Sequence, residues 1–290
     1  MLKLMRDPTE SILLADLGVL RIKGADADRF LQGQLSNDMQ EVVPGHALLA
    51  GYHNPQGRTI AILRLVRSAH EEILAILPRE LAASVAARLA KFILRAKVKI
   101  ENVSDSLRVE GLVVDAAAPS AAPADAGLAR IAGAPPRWLR ITAAAAAVSR
   151  RDERQHWRGL DIASGEPQVY AATSEEFVAQ MLNLDALGAI AFDKGCYTGQ
   201  EVIARAHYRG RVKRRMQRFV TPSPQELVPG TAGRFSDGRT FKVVDALRRS
   251  DGYCEFLAVT ALGTREEAPS ESALAPIEAS PLPLPYPLPE

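Results

Sequence analysis

The chain has 290 residues, of which 47% are apolar and 24% charged, and its net charge is +2. That balance supports a globular core with room for two or three modules and gives no global field directed at nucleic acid or membrane. The longest apolar runs, such as Ala143 to Val148, fall far below the roughly 18 residues of a membrane span. Met1 to Pro8 sets charges and a proline where a signal peptide needs an apolar stretch. Two cysteines, Cys196 and Cys254, cannot form a disulfide framework. A protein of the reducing cytoplasm, without a membrane partner, is expected.

In chain order, Val19 to Lys23 alternates apolar and basic residues and ends at Gly24, which predicts a strand and a turn. Asp26 or Asp28 can cap a following helix that carries Phe30, Leu31 and Leu35. Leu48 to His53 and Thr59 to Val66 flank Asn54-Pro55-Gln56-Gly57-Arg58, and this turn chemistry predicts a β-hairpin. Ile73 to Leu77 is a further strand, stopped by Pro78. From Arg79 to Leu94, Leu81, Val85, Leu89, Phe92 and Ile93 recur at helical spacing, and Lys97 to Ile100 follows as an alternating strand. Elements interleaved around a hairpin predict a ferredoxin-like α+β unit over residues 1–102.

A second α+β unit is expected over 103–211. Leu107 to Asp115 and Trp138 to Thr142 read as strands, and the Ala/Pro/Gly-rich stretch Ala116 to Pro136 between them reads as a linker or surface excursion. Propensity places a helix over Ala143 to Trp157. Ser174, followed by Glu175 and Glu176, opens a shorter one toward Met181 and Leu182. Met216 to Thr221, Thr240 to Leu247 and Tyr253 to Leu262 alternate with Pro/Gly/Ser clusters, which predicts a small β-barrel over 212–268. The tail, 269–290, holds seven prolines in 22 residues and is expected to be extended or disordered unless it packs on another domain.

One segment carries chemistry: Asp193-Lys194-Gly195-Cys196-Tyr197-Thr198-Gly199-Gln200-Glu201. Thr198 and Glu201 have capping-box spacing, so Thr198 is the expected N-cap of a helix. Cys196 would then sit just ahead of that helix with Lys194 two residues away, an arrangement that favours a thiolate. Two glycines would leave the thiol accessible. The alternative, an inert packed thiol, is the assignment for Cys254 within a predicted strand. Downstream, Arg205, Arg209, Arg211, Lys213, Arg214, Arg215 and Arg218 place seven cations in fourteen residues, with His207 and Tyr208 interleaved as candidate stacking rings. A phosphate, nucleic acid or the anionic tail of a small ligand would suit the run; a solvated face is the plain alternative. The five histidines show no metal-ligand spacing and one cysteine cannot hold an iron–sulfur cluster, so no tightly bound metal is expected.

Lys194 to Glu201, with Ala204-Arg205-Ala206-His207-Tyr208-Arg209-Gly210, closely resembles the YgfZ family, related to the aminomethyltransferase (T-protein) of the glycine cleavage system. Gly24-Ala25-Asp26, Phe30 to Gln34, Asn54 to Arg58, Gln180 to Leu184 and Leu284-Pro285-Tyr286 also look like family motifs; the resemblance is thinnest from about 103 to 150. It implies three domains in a ring, tetrahydrofolate or a derivative as cofactor, and a role in iron–sulfur cluster assembly or repair that indirectly affects tRNA modification. Folate and iron–sulfur client or assembly proteins are the implied partners, with nucleic acid less favoured. Cys196 and Lys194 would form the reactive pair; Trp157, Tyr197, Gln200, Glu201, Arg205, Arg209 and Asn54 would contact the cofactor, with Arg211 at the channel mouth. Three departures stand out. Arg58-Thr59-Ile60-Ala61 lacks the acid that serves transfer in the T-protein, a pterin-anchoring Glu falls at Ala163, and a folate-associated aromatic falls at Leu17. An accessory protein is therefore expected rather than an enzyme. The alternatives are a folate-dependent one-carbon transferase and an RNA-binding module.

Overall fold

The computed structural model describes residues 11–113, 128–131, 136–144, 151–210, 212–263 and 275–289. Its first elements are β1 (Ser11–Leu13), β2 (Leu17–Lys23), α1 (Ala27–Gln32), β3 (Ala47–His53), β4 (Thr59–Ala69), β5 (Glu72–Pro78), α2 (Arg79–Ala90) and β6 (Lys99–Asn102). Strands β2 to β6 form a sheet of order β3-β4-β5-β2-β6. β5 thus lies between β4 and β2, the interleaving of a split βαβ arrangement, with β3 added at one edge. Asp26 starts α1 through its carbonyl oxygen, which accepts from Phe30 N, and turns its carboxylate to Lys97 N at 2.8 Å. α2 stops short of the expected Leu94. Phe92 is 50% and Leu94 90% exposed, and Leu94 takes φ 47°, so the apolar period ends at Leu89.

β7 (Leu107–Val113), β8 (Leu128–Ile131) and β9 (Arg137–Ala143) join β1 in a sheet of order β1-β7-β9-β8. β8 falls inside the stretch expected to be a linker; the rest of Ala116 to Pro136, apart from Pro136, lies outside the described residues. Ala143 pairs with Leu107, so the start of the expected alanine helix is strand, where cross-strand pairing overrides helix propensity. The helix α3 instead spans Arg151–Ala163. Ser174 opens no helix: the 3-10 turns Ala171–Thr173 and Ala179–Leu182 stand on either side of it. Then come α4 (Gln200–Tyr208), β10 (Arg214–Thr221), β11 (Ala232–Arg234), β12 (Thr240–Arg248), β13 (Cys254–Ala261) and β14 (Ser280–Leu282). The last five strands form a sheet of order β11-β12-β13-β10-β14. β14 belongs to the proline-rich tail, which adds an edge strand where its missing N–H groups cost least. The chain is thus α+β and mostly strand.

Two compact units emerge that do not follow chain order. One comprises Met1–Gln32, Asp38–Leu49 and Leu63–Trp157; the other comprises Gly33–Asn37, Ala50–Ile62 and Arg158–Glu290. In the first, Ile12, Val19, Ile76, Val109 and Leu139 pack around Trp157. The indole is 4% exposed, the Arg137 guanidinium lies 5.0 Å from its ring centroid, and a Cβ on Gly111 would come within 2.3 Å of it. Trp157 is a core anchor rather than an open stacking surface, and Leu17 packs against the same cluster. In the second unit, Arg215 makes a buried two-pronged ion pair with Asp185 at 2.9 and 2.8 Å and donates to Gln180 O at 3.0 Å. Around Phe219, Phe235, Phe241 and Phe256 the C-terminal sheet builds its own aromatic core.

The burial of Trp157 carries a stability prediction. Trp157→Ala is expected to lower unfolding free energy by about 3–5 kcal/mol in urea titration. A loss under about 1 kcal/mol would contradict a core role.

Candidate functional site

Within the second unit, the segment 193–199 leads into α4 as an open loop. Lys194 is buried, and its ammonium donates to Leu35 O at 2.7 Å and Asn37 O at 2.9 Å. It also lies 5.0 Å from the Tyr197 ring centroid. A buried ammonium needs such partners, because leaving water without them costs several kcal/mol. Tyr197 is buried too, which pushes its hydroxyl pKa up to about 12. Between these two inward anchors, Gly195 and Cys196 face solvent, and the Cys196 thiol is free and exposed. Cys254 is the opposite case: buried in β13, with its thiol pKa raised chiefly by burial.

The helix cap differs from the expected one. Gly199, not Thr198, is the N-cap of α4, with φ 83° and no capping side chain, so Cys196 lies three residues ahead of the cap. Glycine is required there twice over. The left-handed backbone disfavours any other residue, and a Cβ would lie 2.5 Å from Asn54 O. Gln200 closes the loop from the other side: its Oε1 accepts from Tyr197 N at 3.3 Å, and its own N–H donates to Tyr197 O at 3.2 Å.

The partner in this close approach is the hairpin turn between β3 and β4. Asn54 Oδ1 accepts from Gln56 N and Arg58 N, both at 3.0 Å, while Asn54 Nδ2 donates to Glu175 Oε2 at 2.8 Å. Asn54 therefore spends its amide on shaping the turn. Arg58 reaches the same neighbour segment, donating to Glu176 O at 2.7 Å. His53 enters the turn with its ring 1% exposed, its Nδ1 being 3.3 Å from Thr59 Oγ1. Burial pulls the His53 pKa down to about 3, so the ring stays neutral.

The structure thus brings Lys194, Cys196, Tyr197, Gln200 and Asn54 into one loop-and-turn assembly. Glu201 and Arg205 are exposed on α4 and Arg209 is exposed at its C-cap, Trp157 belongs to the other unit, and Arg211 lies outside the described residues. Sequence reasoning missed His53 and Glu175. Glu175 holds φ 65°, a strained angle for a non-glycine residue, and its hydrogen bond to Asn54 joins positions far apart in sequence. Ala163 ends α3, and its carbonyl oxygen accepts from Arg218 at 3.4 Å. Among the described residues no three or more His, Cys, Asp or Glu side chains gather as a metal site, and no helix is long and apolar enough to cross a membrane.

No family model matches the chain. It is 31% identical to the tRNA-modifying protein YgfZ of Edwardsiella ictaluri, over 94% of this chain and 93% of that protein. The chain belongs to the YgfZ family. The tRNA-modifying protein YgfZ of Escherichia coli O157:H7 is also 31% identical, over 85% of this chain and 84% of its own length. Among solved structures, the glycine cleavage system aminomethyltransferase T from Bartonella henselae superposes with a TM-score of 0.66 at 11% identity. That match covers 89% of this chain and 79% of the other. The chain therefore shares the fold of that aminomethyltransferase, and the segment Lys194 to Glu201 forms the braced loop and the first residues of α4.

The neutral His53 makes stability fall in acid. An unfolded histidine takes up its proton near pH 6.5, whereas folded His53 does so only near 3. Between those values the unfolded state binds more protons, so this contribution is present above about pH 6.5 and is lost as pH falls toward 3. His53→Gln is expected to shrink the drop in urea midpoint between about pH 7 and pH 5. An equal drop in variant and wild type would contradict the assignment.

Proposed function

We propose that this YgfZ-family protein is a tetrahydrofolate-binding accessory factor for iron–sulfur cluster assembly or repair, through which it affects tRNA modification, and that the Cys196 thiol is its working group. The observation that carries the reading is the solvent-facing thiol on a loop pinned by Lys194, Tyr197 and the Gly199–Asn54 approach. The names of the curated relatives support the tRNA connection. An accessible thiol is a soft iron ligand. A cluster needs about four ligands, so Cys196 would supply one beside those of a client protein, with the cluster as cargo. A free exposed thiol persists in a reducing compartment, which fits a cytoplasmic location.

The aminomethyltransferase-like fold supports a folate ligand. Four of the seven residues assigned to it are otherwise engaged: Trp157 has its ring packed in a core, Tyr197 is buried, and Asn54 and Gln200 use their side chains within the turn and the loop, while Glu201, Arg205 and Arg209 are exposed. Folate chemistry would supply one-carbon groups. Aminomethyl transfer is disfavoured. Thr59 to Ala61 is buried strand without a carboxylate, where the T-protein resemblance calls for an acid to stabilise charge developing on the folate.

The test is made in cells under oxidative stress, with cluster-dependent enzymes as the readout. Cys196→Ala is expected to lower their activity to the level of cells lacking the protein, while Cys254→Ala retains it. Wild-type activity with Cys196→Ala would remove the thiol from the mechanism.

A further inference from the structure

The basic run after α4 separates into two populations once its side chains are placed. Arg214 donates to Thr240 Oγ1 and O, Arg215 is buried on Asp185, and Arg218 pairs with Glu255. These three fasten strands. Arg205, Arg209 and Lys213 are exposed, and among the described residues their side chains have no ion-pair partner. Glu201 stands one turn before Arg205 without pairing to it. Arg205 lies in the last turn of α4 and Arg209 is its C-cap, whose N–H donates to Arg205 O, so two like charges stand at one helix end, where an anion would neutralise them.

His207 and Tyr208, interleaved with Arg205 and Arg209 in sequence, form a cluster of rings with Phe192. His207 stacks on Phe192 with centroids 3.8 Å apart and planes 16° from parallel. Tyr208 meets His207 edge-on at 4.7 Å and 82°, and it also meets Phe192 edge-on at 6.0 Å. His207 is exposed, and Tyr208 is 67% exposed, unusual for a large ring already in contact with two others. Rings held in fixed orientation at the end of a helix that also carries unpaired arginines match what an unpaired nucleotide strand offers: flat bases to stack and phosphates to neutralise. An acidic peptide would engage the cations and leave the rings in water. A duplex would bury its base faces in its own stack.

We propose that the surface formed by Phe192, His207 and Tyr208 with Arg205 and Arg209 binds single-stranded nucleic acid, with Tyr208 stacking on a base and the arginines meeting phosphates. This assigns Arg205 and Arg209 to phosphates rather than to the anionic tail of a folate. It is independent of the thiol, so either result leaves the Cys196 reading where it stood.

The experiment is fluorescence anisotropy of the full chain with a labelled single-stranded RNA of about a dozen nucleotides, within the usual site-size range. Wild type is expected to bind the strand more tightly than the same sequence as a duplex. Tyr208→Ala should weaken binding about tenfold, the scale of one lost stack, while Tyr208→Phe stays within about twofold because the ring remains. The double variant Arg205→Ala with Arg209→Ala should reduce the slope of log affinity against log salt by about 1.4, at roughly 0.7 per phosphate contact on a single strand. Circular dichroism confirms that each variant is folded. Absence of wild-type binding at low salt, an unchanged affinity in Tyr208→Ala, or equal affinity for duplex would overturn the proposal. So would displacement by oligoglutamate of matched charge as readily as by RNA, an outcome that marks an acidic-peptide surface.

Discussion

The approach of two backbones, one at Gly199 and the other at Asn54 to Gly57, is the constraint on which the thiol loop depends. A side chain at Gly199 would meet Asn54 O, and one at Gly57 would meet Val202 at 2.9 Å. The hairpin turn can therefore lie directly against the start of α4. Asn54 makes the turn rigid enough to serve as a support by saturating its side-chain oxygen within it and handing its amide to Glu175. The loop side is rigid for a different reason: the ammonium of Lys194 is buried and remains so only while Leu35 and Asn37 offer their carbonyl oxygens. Between these two restraints the chain has little freedom, and the residue left outside is Cys196.

This arrangement separates two tasks that the sequence places side by side. Lys194 and Tyr197 point inward and hold, whereas Cys196 points outward and is available. Gln200 sets the direction of the helix that follows by exchanging hydrogen bonds with Tyr197. A thiol presented in this way suits transient contact with a partner that brings its own ligands, as the proposed accessory role in cluster handling requires. The fold in which it sits is shared with an aminomethyltransferase.

Much of this was legible in the sequence because turn residues announce themselves. Asn54-Pro55-Gln56-Gly57 marked a hairpin, and the glycines around Cys196 marked an accessible loop. The illegible features depend on contacts between distant residues. Thr198 had the local spacing of an N-cap, yet Gly199 takes the position because the Asn54 carbonyl lies where a side chain would be. Trp157 looked like a stacking ring, but Gly111 on β7 gives it a flat backbone to pack against in a core. Seven cations read alike in sequence. Only the folded chain shows that Arg215 and Arg218 pair with Asp185 and Glu255 while Arg205 and Arg209 face water. The strand β14 was hidden because proline-rich composition says nothing about which sheet edge is open to it.

The claim at the centre is that one sulfur is offered to the surroundings while the other is sealed in a strand. Alkylation of the native protein by iodoacetamide, followed residue by residue with mass spectrometry, tests it most directly. The account predicts that Cys196 is modified promptly without denaturant and that Cys254 is modified only once the chain unfolds. Protection of Cys196 to the same degree as Cys254 would contradict it.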